Sequence, residues 1–386
     1  MYSASSIGGF KTVLNDFKLD GMMIRYSNFI PRFYNYCLSL GMEPGKIMPS
    51  RAFCSDESQG LPIILITKEF GTFPFNHGKV GGVVATDRHG PHAEHGQDIV
   101  IIQASHVGYD AELNQFGTYR RVQTADCHHE ANCGKLKGVV SEYQGEYNFA
   151  CQNIFLEPSK NGAEKQISIN NLLLNERRKE GLFLDAEKLI AYYNSGSAKL
   201  LRSLSTARTF EAATELINLL GDDWPEDKRR PIDAFLKPEL FSFKRNFSRD
   251  EQELRSLEIN LIDAMPWIVT HAAPSLAAAQ INTQVEFDRT YRTIILEEGY
   301  QNRRLVFISG LNIDISPQKD DIFPLTKFIP WAAYVQDNSG QHCILEQQEI
   351  FDILMSFDAQ SENKIDLEAA IAKMEKASEV SVSFEF

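Results

Sequence analysis

Short aliphatic runs alternate with longer amphipathic stretches along this chain. Ile63 to Ile66 and Asp98 to Ile102 (DIVII) are brief β-branched runs of the kind that buried parallel strands carry, and the glycine-rich segment between them reads as a loop. Ahead of them the first fifty residues hold aromatic-rich helical or turn-like segments, and Pro49 leads into Ala52, Phe53 and Cys54 as the end of a short strand. Residues 185–220 read as helices, with Leu189, Ile190 and Tyr193, then Ala212, Leu216, Ile217 and Leu220, at helical spacing. The stretch dense in charge and proline that follows predicts an exposed connection, and it places a division near residue 244, with 1–244 and 245–386 as two domains. Beyond it come a helical pattern over residues 254–268, an apolar run Leu305 to Ile308 and an aromatic segment Phe328 to Val335. An amphipathic helix Asp366 to Ala377 and an alternating, strand-like tail Val380 to Phe386 close the chain. The expected class is α/β, a central sheet flanked by helices with a C-terminal α+β extension.

Composition narrows the partners. A chain of 386 residues with 43% hydrophobic content supplies ample core, and no stretch nears eighteen uninterrupted apolar residues, so no membrane span is expected. The start, MYSASSIGGFKTVLNDF, lacks the order of a signal peptide, which makes the cytoplasm the expected location. A net charge of −13 without a Lys/Arg stripe would repel a phosphate backbone, and nucleic acid is therefore an unexpected partner. Six cysteines in such a chain point to metal binding or core packing rather than to disulfides.

The chemistry concentrates in one region. Seven of the 9 histidines (77, 89, 92, 95, 106, 128 and 129) fall within residues 77–129, together with Cys127, and Cys54 and Cys133 flank the group. Thiolate and imidazole suit Zn2+, and a catalytic zinc keeps three protein ligands with a fourth position open to water. Spacing alone permits several ligand sets. Cys54 and His106 each follow a presumed strand, and Cys133 closes a loop that can fold back over both, whereas the sequential run DCHHE cannot easily point all its side chains at one ion. Each of the three, taken singly, also reads as a buried thiol or a hydrogen-bonded strand-end histidine. His89, His92 and His95 look like a polar surface loop, with a second metal site as the alternative, and Cys127 beside His128 invites a Cys/His nucleophile reading, although adjacent residues on one backbone rarely present both groups to each other.

Four segments, CSDE at 54–57, GTFPFNHGKVGG at 71–82, DIVIIQASHVGYD at 98–110 and NCG at 132–134, resemble in order and content the core motifs of the limiting-CO2-inducible protein B family. That family is structurally similar to β-class carbonic anhydrases, and the resemblance covers residues 50–135. It implies a β-carbonic anhydrase-like sheet, Zn2+ held by Cys54, His106 and Cys133, a homodimer, and reversible hydration of CO2 to bicarbonate by zinc-bound hydroxide. It also makes Asp56 the counterpart of the β-class aspartate two residues after the first ligand. In ordinary β-class enzymes an arginine follows in CxDSR and pairs with that aspartate; Glu57 and Ser58 stand here instead. The cation must come from elsewhere, and Arg120 and Arg121 are the candidates, ahead of Lys68. Phe73 and Phe75 are placed in sequence to wall an apolar site for CO2, and they read equally well as ordinary core aromatics.

The missing arginine leaves room for a second reading of the same fold, a catalytically silent zinc protein that binds inorganic carbon or serves as a partner subunit. A zinc hydrolase or deaminase using Glu57 or Glu130 as proton shuttle lacks the required HxE and PCxxC order. A structural four-cysteine zinc site lacks any CxxC pair.

Overall fold

The apolar run DIVII opens a strand of 13 residues, Asp98–Asp110, and Ile99, Val100, Ile101 and Ile102 on it are almost wholly buried. A strand buried on both faces needs cover on both faces, and the computed structural model supplies it. The structure describes residues 9–84, 98–120, 129–159, 163–175, 177–192, 198–203, 206–317, 324–360 and 365–376.

The chain divides into two compact units, one made of residues 17–114, 118–130 and 286–386, the other of residues 1–16, 115–117 and 131–285. The first holds a mixed sheet in which Asp98–Asp110 lies parallel to Ile47–Ala52 on one side and to Leu305–Ile315 on the other. Leu305–Ile315 continues antiparallel into Leu325–Gln336, and the short strand Phe75–Asn76 lies parallel to Ile47–Ala52. Val100, Ile102, Val306 and Ile308 pack on one face with Phe29, Ile30 and Phe33 of helix Tyr26–Ser39 and with Ile66 and Phe70. Ile99, Ile101, Leu305 and Phe307 pack on the other face with Phe287 and Ile294 of helix Pro274–Leu296. The architecture is a central mixed sheet flanked by helices.

The division near residue 244 is not where the units part. Leu305–Ile315 forms the parallel partner of Asp98–Asp110, so the C-terminal residues are built into the central sheet rather than appended as an extension. Pairing between strands two hundred residues apart leaves no local mark in sequence. The proline-dense stretch ends in strand Phe241–Lys244, which pairs with Gly181–Leu184 and so lies within the second unit.

Ile63 to Ile66, expected as a strand, lies in helix Gly60–Phe70. Pro62 is tolerated in a first helical turn, Pro62, Ile66 and Phe70 recur at a spacing of four and are buried, and Gly71 closes the helix in the left-handed region at φ 77°. A four-residue apolar run cannot by itself distinguish the two periods. Among the described residues of 185–220, the helical segments are a single turn, Ala186–Leu189, and helix Thr214–Leu220, with strands Leu200–Ser203 and Ala207–Glu211 between them. Ala207–Glu211 pairs antiparallel with Gln166–Asn170 in the sheet of the second unit, and tertiary pairing there overrides a helical spacing.

Helices do form over residues 254–268, and the aromatic segment Phe328 to Val335 lies in strand Leu325–Gln336. Asp366 caps helix Leu367–Glu375 by accepting from the Ala369 amide at 3.0 Å. The expected tail strand Val380 to Phe386 lies outside the described residues. Among the described residues, no helix is long and apolar enough to cross a membrane.

Candidate metal centre

Strand Ile47–Ala52 ends opposite Gln103, while Asp98–Asp110 runs seven residues further. His106 is therefore inside its strand rather than after it, but it stands where the neighbouring strand has stopped. Cys54 comes two residues past Ala52, at the carboxyl ends of the parallel strands, where α/β sheets present functional groups. Cys133 occupies the cap position of the twenty-residue helix Gly134–Asn153, and a helix amino terminus favours an anionic thiolate.

The three residues come together. One ligand atom from each of Cys54, His106 and Cys133 lies within 4.8 Å of the others, and the side chains are 3%, 1% and 2% exposed. Thiolates and an imidazole on a tetrahedral zinc stand about 3.5–3.8 Å apart, so the spacing fits an ion of that size with little adjustment. The donor set of two sulfurs and one nitrogen fits Zn2+ and leaves one tetrahedral position over.

Sequence around the site explains its shape. The Gly81 amide donates to Cys54 Sγ at 3.1 Å, a bond that suits a thiolate better than a thiol. Gly81 and Gly82 both lie in the left-handed region, at φ 85° and 73°, and a Cβ on Gly82 would stand 3.0 Å from Ser105 Cα. The glycine pair of GKVGG is thus needed both for the turn and for its close approach to the histidine-bearing strand.

His106 Nδ1 lies 2.9 Å from Asp314 Oδ2, and both side chains are buried. The Ser58 hydroxyl and Gln59 Nε2 each donate to the same oxygen at 2.8 Å, and the Thr326 hydroxyl donates to Oδ1 at 2.9 Å. Gln59 in turn accepts from Asn312 Nδ2 at 2.7 Å, and Asn312 accepts from the Tyr26 hydroxyl at 2.9 Å. None of Asp314, Gln59, Ser58 or Asn312 was singled out in the sequence. A signal existed: Asn312 and Asp314 alternate with Leu311 and Ile313 in a mostly apolar strand, and buried polar groups require partners.

Asp56 is half-buried, and its carboxylate accepts the Ser58 amide at 3.2 Å, capping the turn Glu57–Gln59. Arg120 directs its guanidinium to the Pro317 carbonyl at 2.7 Å, and its backbone amide donates to Ser316 Oγ at 3.0 Å. Arg121 lies outside the described residues, as do Cys127, His128 and the histidines at 89, 92 and 95. Phe73 is 76% exposed, whereas Phe75 is half-buried in strand Phe75–Asn76. Glu57 is exposed and accepts the Tyr119 hydroxyl. His129 pairs instead with buried Asp110, whose carboxyl burial would raise; the Leu113 amide, His129 and the Glu112 amide outweigh that and hold it below the usual range. His77 is buried against the Ser50 hydroxyl.

No family model and no curated protein matches the chain. Among solved structures it is similar to PtLCIB4, a homolog of the limiting CO2-inducible protein LCIB, at 12% identity and a TM-score of 0.47, over 88% of this chain and 99% of that one. It is also similar to LCIB, at 11% identity and a TM-score of 0.41, over 85% of this chain and 96% of that one. Likeness at this level carries no argument about chemistry, which lies in the side chains.

Proposed function

We propose that the protein is a zinc-dependent carbonic anhydrase of β-class-like arrangement, converting CO2 and bicarbonate reversibly, with Cys54, His106 and Cys133 as the metal ligands. The observation that carries this reading is the buried group of two thiols and one imidazole within 4.8 Å, drawn from the motifs CSDE, ASHVG and NCG. A zinc ion bound there supplies Lewis acidity that lowers the pKa of a water from 15.7 towards about 7, the value for carbonic anhydrase itself. The chain's own residues do the rest. Three protein ligands leave one position for water, and their burial keeps bulk solvent from the metal. Asp56, two residues beyond Cys54 and steadied by the Ser58 amide, would hold a water by a hydrogen bond once metal is bound, provided a cation keeps the carboxylate off the ion. Arg121 is the proposed cation, because Arg120 is engaged with Pro317. A homodimer is part of the same proposal, since β-class sites stand near subunit interfaces.

The engagement of Arg120 favours one second reading, a zinc protein that binds inorganic carbon or a partner without hydrating CO2. In it Asp56 would itself serve as the fourth ligand. Metal analysis of the purified protein coupled to a stopped-flow CO2 hydration assay separates the two: zinc with hydration supports the enzyme, and zinc without hydration supports the silent form.

A further inference from the structure

The metal ligand His106 is held from behind by a carboxylate that comes from the far end of the chain. We propose that Asp314 is the positioning residue of this centre: it fixes His106 with its proton on Nδ1, makes Nε2 the ligand atom, and couples that choice to the turn after Cys54. The proposal rests on the metal reading given above, and it adds a residue to which no motif points.

Strand register makes the contact possible. Asn312 is paired with His106 and Asp314 with Gly108, so Asp314 stands one pleat beyond the imidazole on the same face. Gly108 has no side chain to fill the space opposite Asp314, and the ring of His106 meets the carboxylate there at 2.9 Å. A carboxylate offers only acceptors, and four donors converge on this one: Ser58 Oγ, Gln59 Nε2, His106 Nδ1 and Thr326 Oγ1. The orientation of each donor is set in turn. Because Asn312 Nδ2 donates to Gln59 Oε1, the amide of Gln59 must turn its nitrogen towards Asp314. Because the Tyr26 hydroxyl donates to Asn312 Oδ1, the amide of Asn312 is fixed as well. Burial pushes the Tyr26 hydroxyl well above its usual range, outweighing the Asn312 bond, and keeps it a donor.

Gln59 Nε2 also lies 3.3 Å from His106 Nδ1, and two donors cannot share a hydrogen bond. With Nδ1–H aimed at Asp314, Gln59 gives its proton to the carboxylate, and the arrangement is consistent only for that tautomer. The neutral ring then presents its Nε2 lone pair. Ser58 and Gln59 belong to the turn Glu57–Gln59, which opens three residues after Cys54 and leads into helix Gly60–Phe70. One carboxylate thus orients a ligand on strand Asp98–Asp110 and anchors the segment next to a ligand that follows strand Ile47–Ala52.

The test uses Asp314→Asn in the full chain. Partners of this kind change metal affinity by about 10- to 100-fold when removed. Zinc affinity, read by competition with a chromophoric chelator, should fall within that range. Nitrogen-15 NMR of the metal-free protein should show His106 protonated on Nδ1 in the wild type and redistributed between its nitrogens in the variant. A merely structural role would lower stability without moving the tautomer. Wild-type affinity together with an unmoved tautomer in the variant would overturn the proposal. If Asp314→Asn does not fold, Ser58→Ala with Gln59→Leu decides it: zinc affinity reduced several-fold, on the order of that range's lower end, supports the coupling, and unchanged affinity overturns it. If the wild type binds no zinc, the metal reading fails on its own, and the tautomer measurement still judges Asp314.

Discussion

The imidazole of His106 and the carboxylate of Asp314, 208 residues apart in the chain, meet at 2.9 Å across two parallel strands of the central mixed sheet. That contact makes the carboxyl-terminal strands part of the candidate metal centre, and it sets how the centre should respond to change.

Each of the three ligands is expected to be needed for metal. Cys133→Ala leaves one thiol and one imidazole, too few donors for tight zinc binding, and should lose most of the metal while the fold survives. Elemental analysis after gel filtration measures it. Full zinc retention in that variant would remove Cys133 from the ligand set.

Asp56→Asn should separate metal binding from turnover. The amide cannot act as the carboxylate does towards a water, yet it can still accept the Ser58 amide and cap the turn. Zinc content should hold while CO2 hydration falls by about 10- to 100-fold. X-ray absorption should keep one exogenous oxygen in the metal shell. A wild-type spectrum that already shows a protein carboxylate on zinc, with no hydration, would favour the silent reading.

His77 gives a pH dependence with a definite sign. Burial, reinforced by Arg51, pulls its imidazole from 6.5 down to about 4. Between those values the unfolded chain takes up a proton that the folded protein does not, so stability falls as pH drops through the window, while above it His77 contributes no dependence. The loss between pH 7 and pH 5 is about 2 kcal/mol at about 1.4 kcal/mol per pH unit. Urea denaturation at the two pH values measures it. His77→Gln should flatten the difference by that amount, and an equal slope in both proteins would refute the assignment.

Assembly is testable without activity. Sedimentation at micromolar concentration should show a dimer or a higher even oligomer, and a clean monomer would count against both the assembly and the β-class-like arrangement. Phe73, 76% exposed, is a suitable probe, because an aromatic ring left in solvent by one chain can be covered by a second.

The gathering of Cys54, His106 and Cys133 was legible because each lies in a short motif, and because thiols and histidines concentrated in one region are hard to assign to packing. DIVII announced its strand through an unbroken β-branched run. Ile63 to Ile66 misled for the opposite reason: four apolar residues fit either period, and what decides for a helix is the burial of Ile66 and Phe70 against the sheet. The boundary near residue 244 misled because local composition marks an exposed connection but cannot tell which strands pair across it. Asp314 went unread since nothing near it in sequence resembles a site. Its meaning arises only when Leu305–Ile315 is laid beside Asp98–Asp110.

Cys54, His106 and Cys133 are proposed to hold a zinc ion that makes this chain hydrate CO2. Stopped-flow CO2 hydration, followed while zinc is removed by a chelator and then added back, tests it most directly. About one zinc per chain is expected, one for the single proposed set of three ligands, with activity that disappears and returns in proportion to bound metal. A fully zinc-loaded protein whose hydration rate equals that of buffer alone would contradict it.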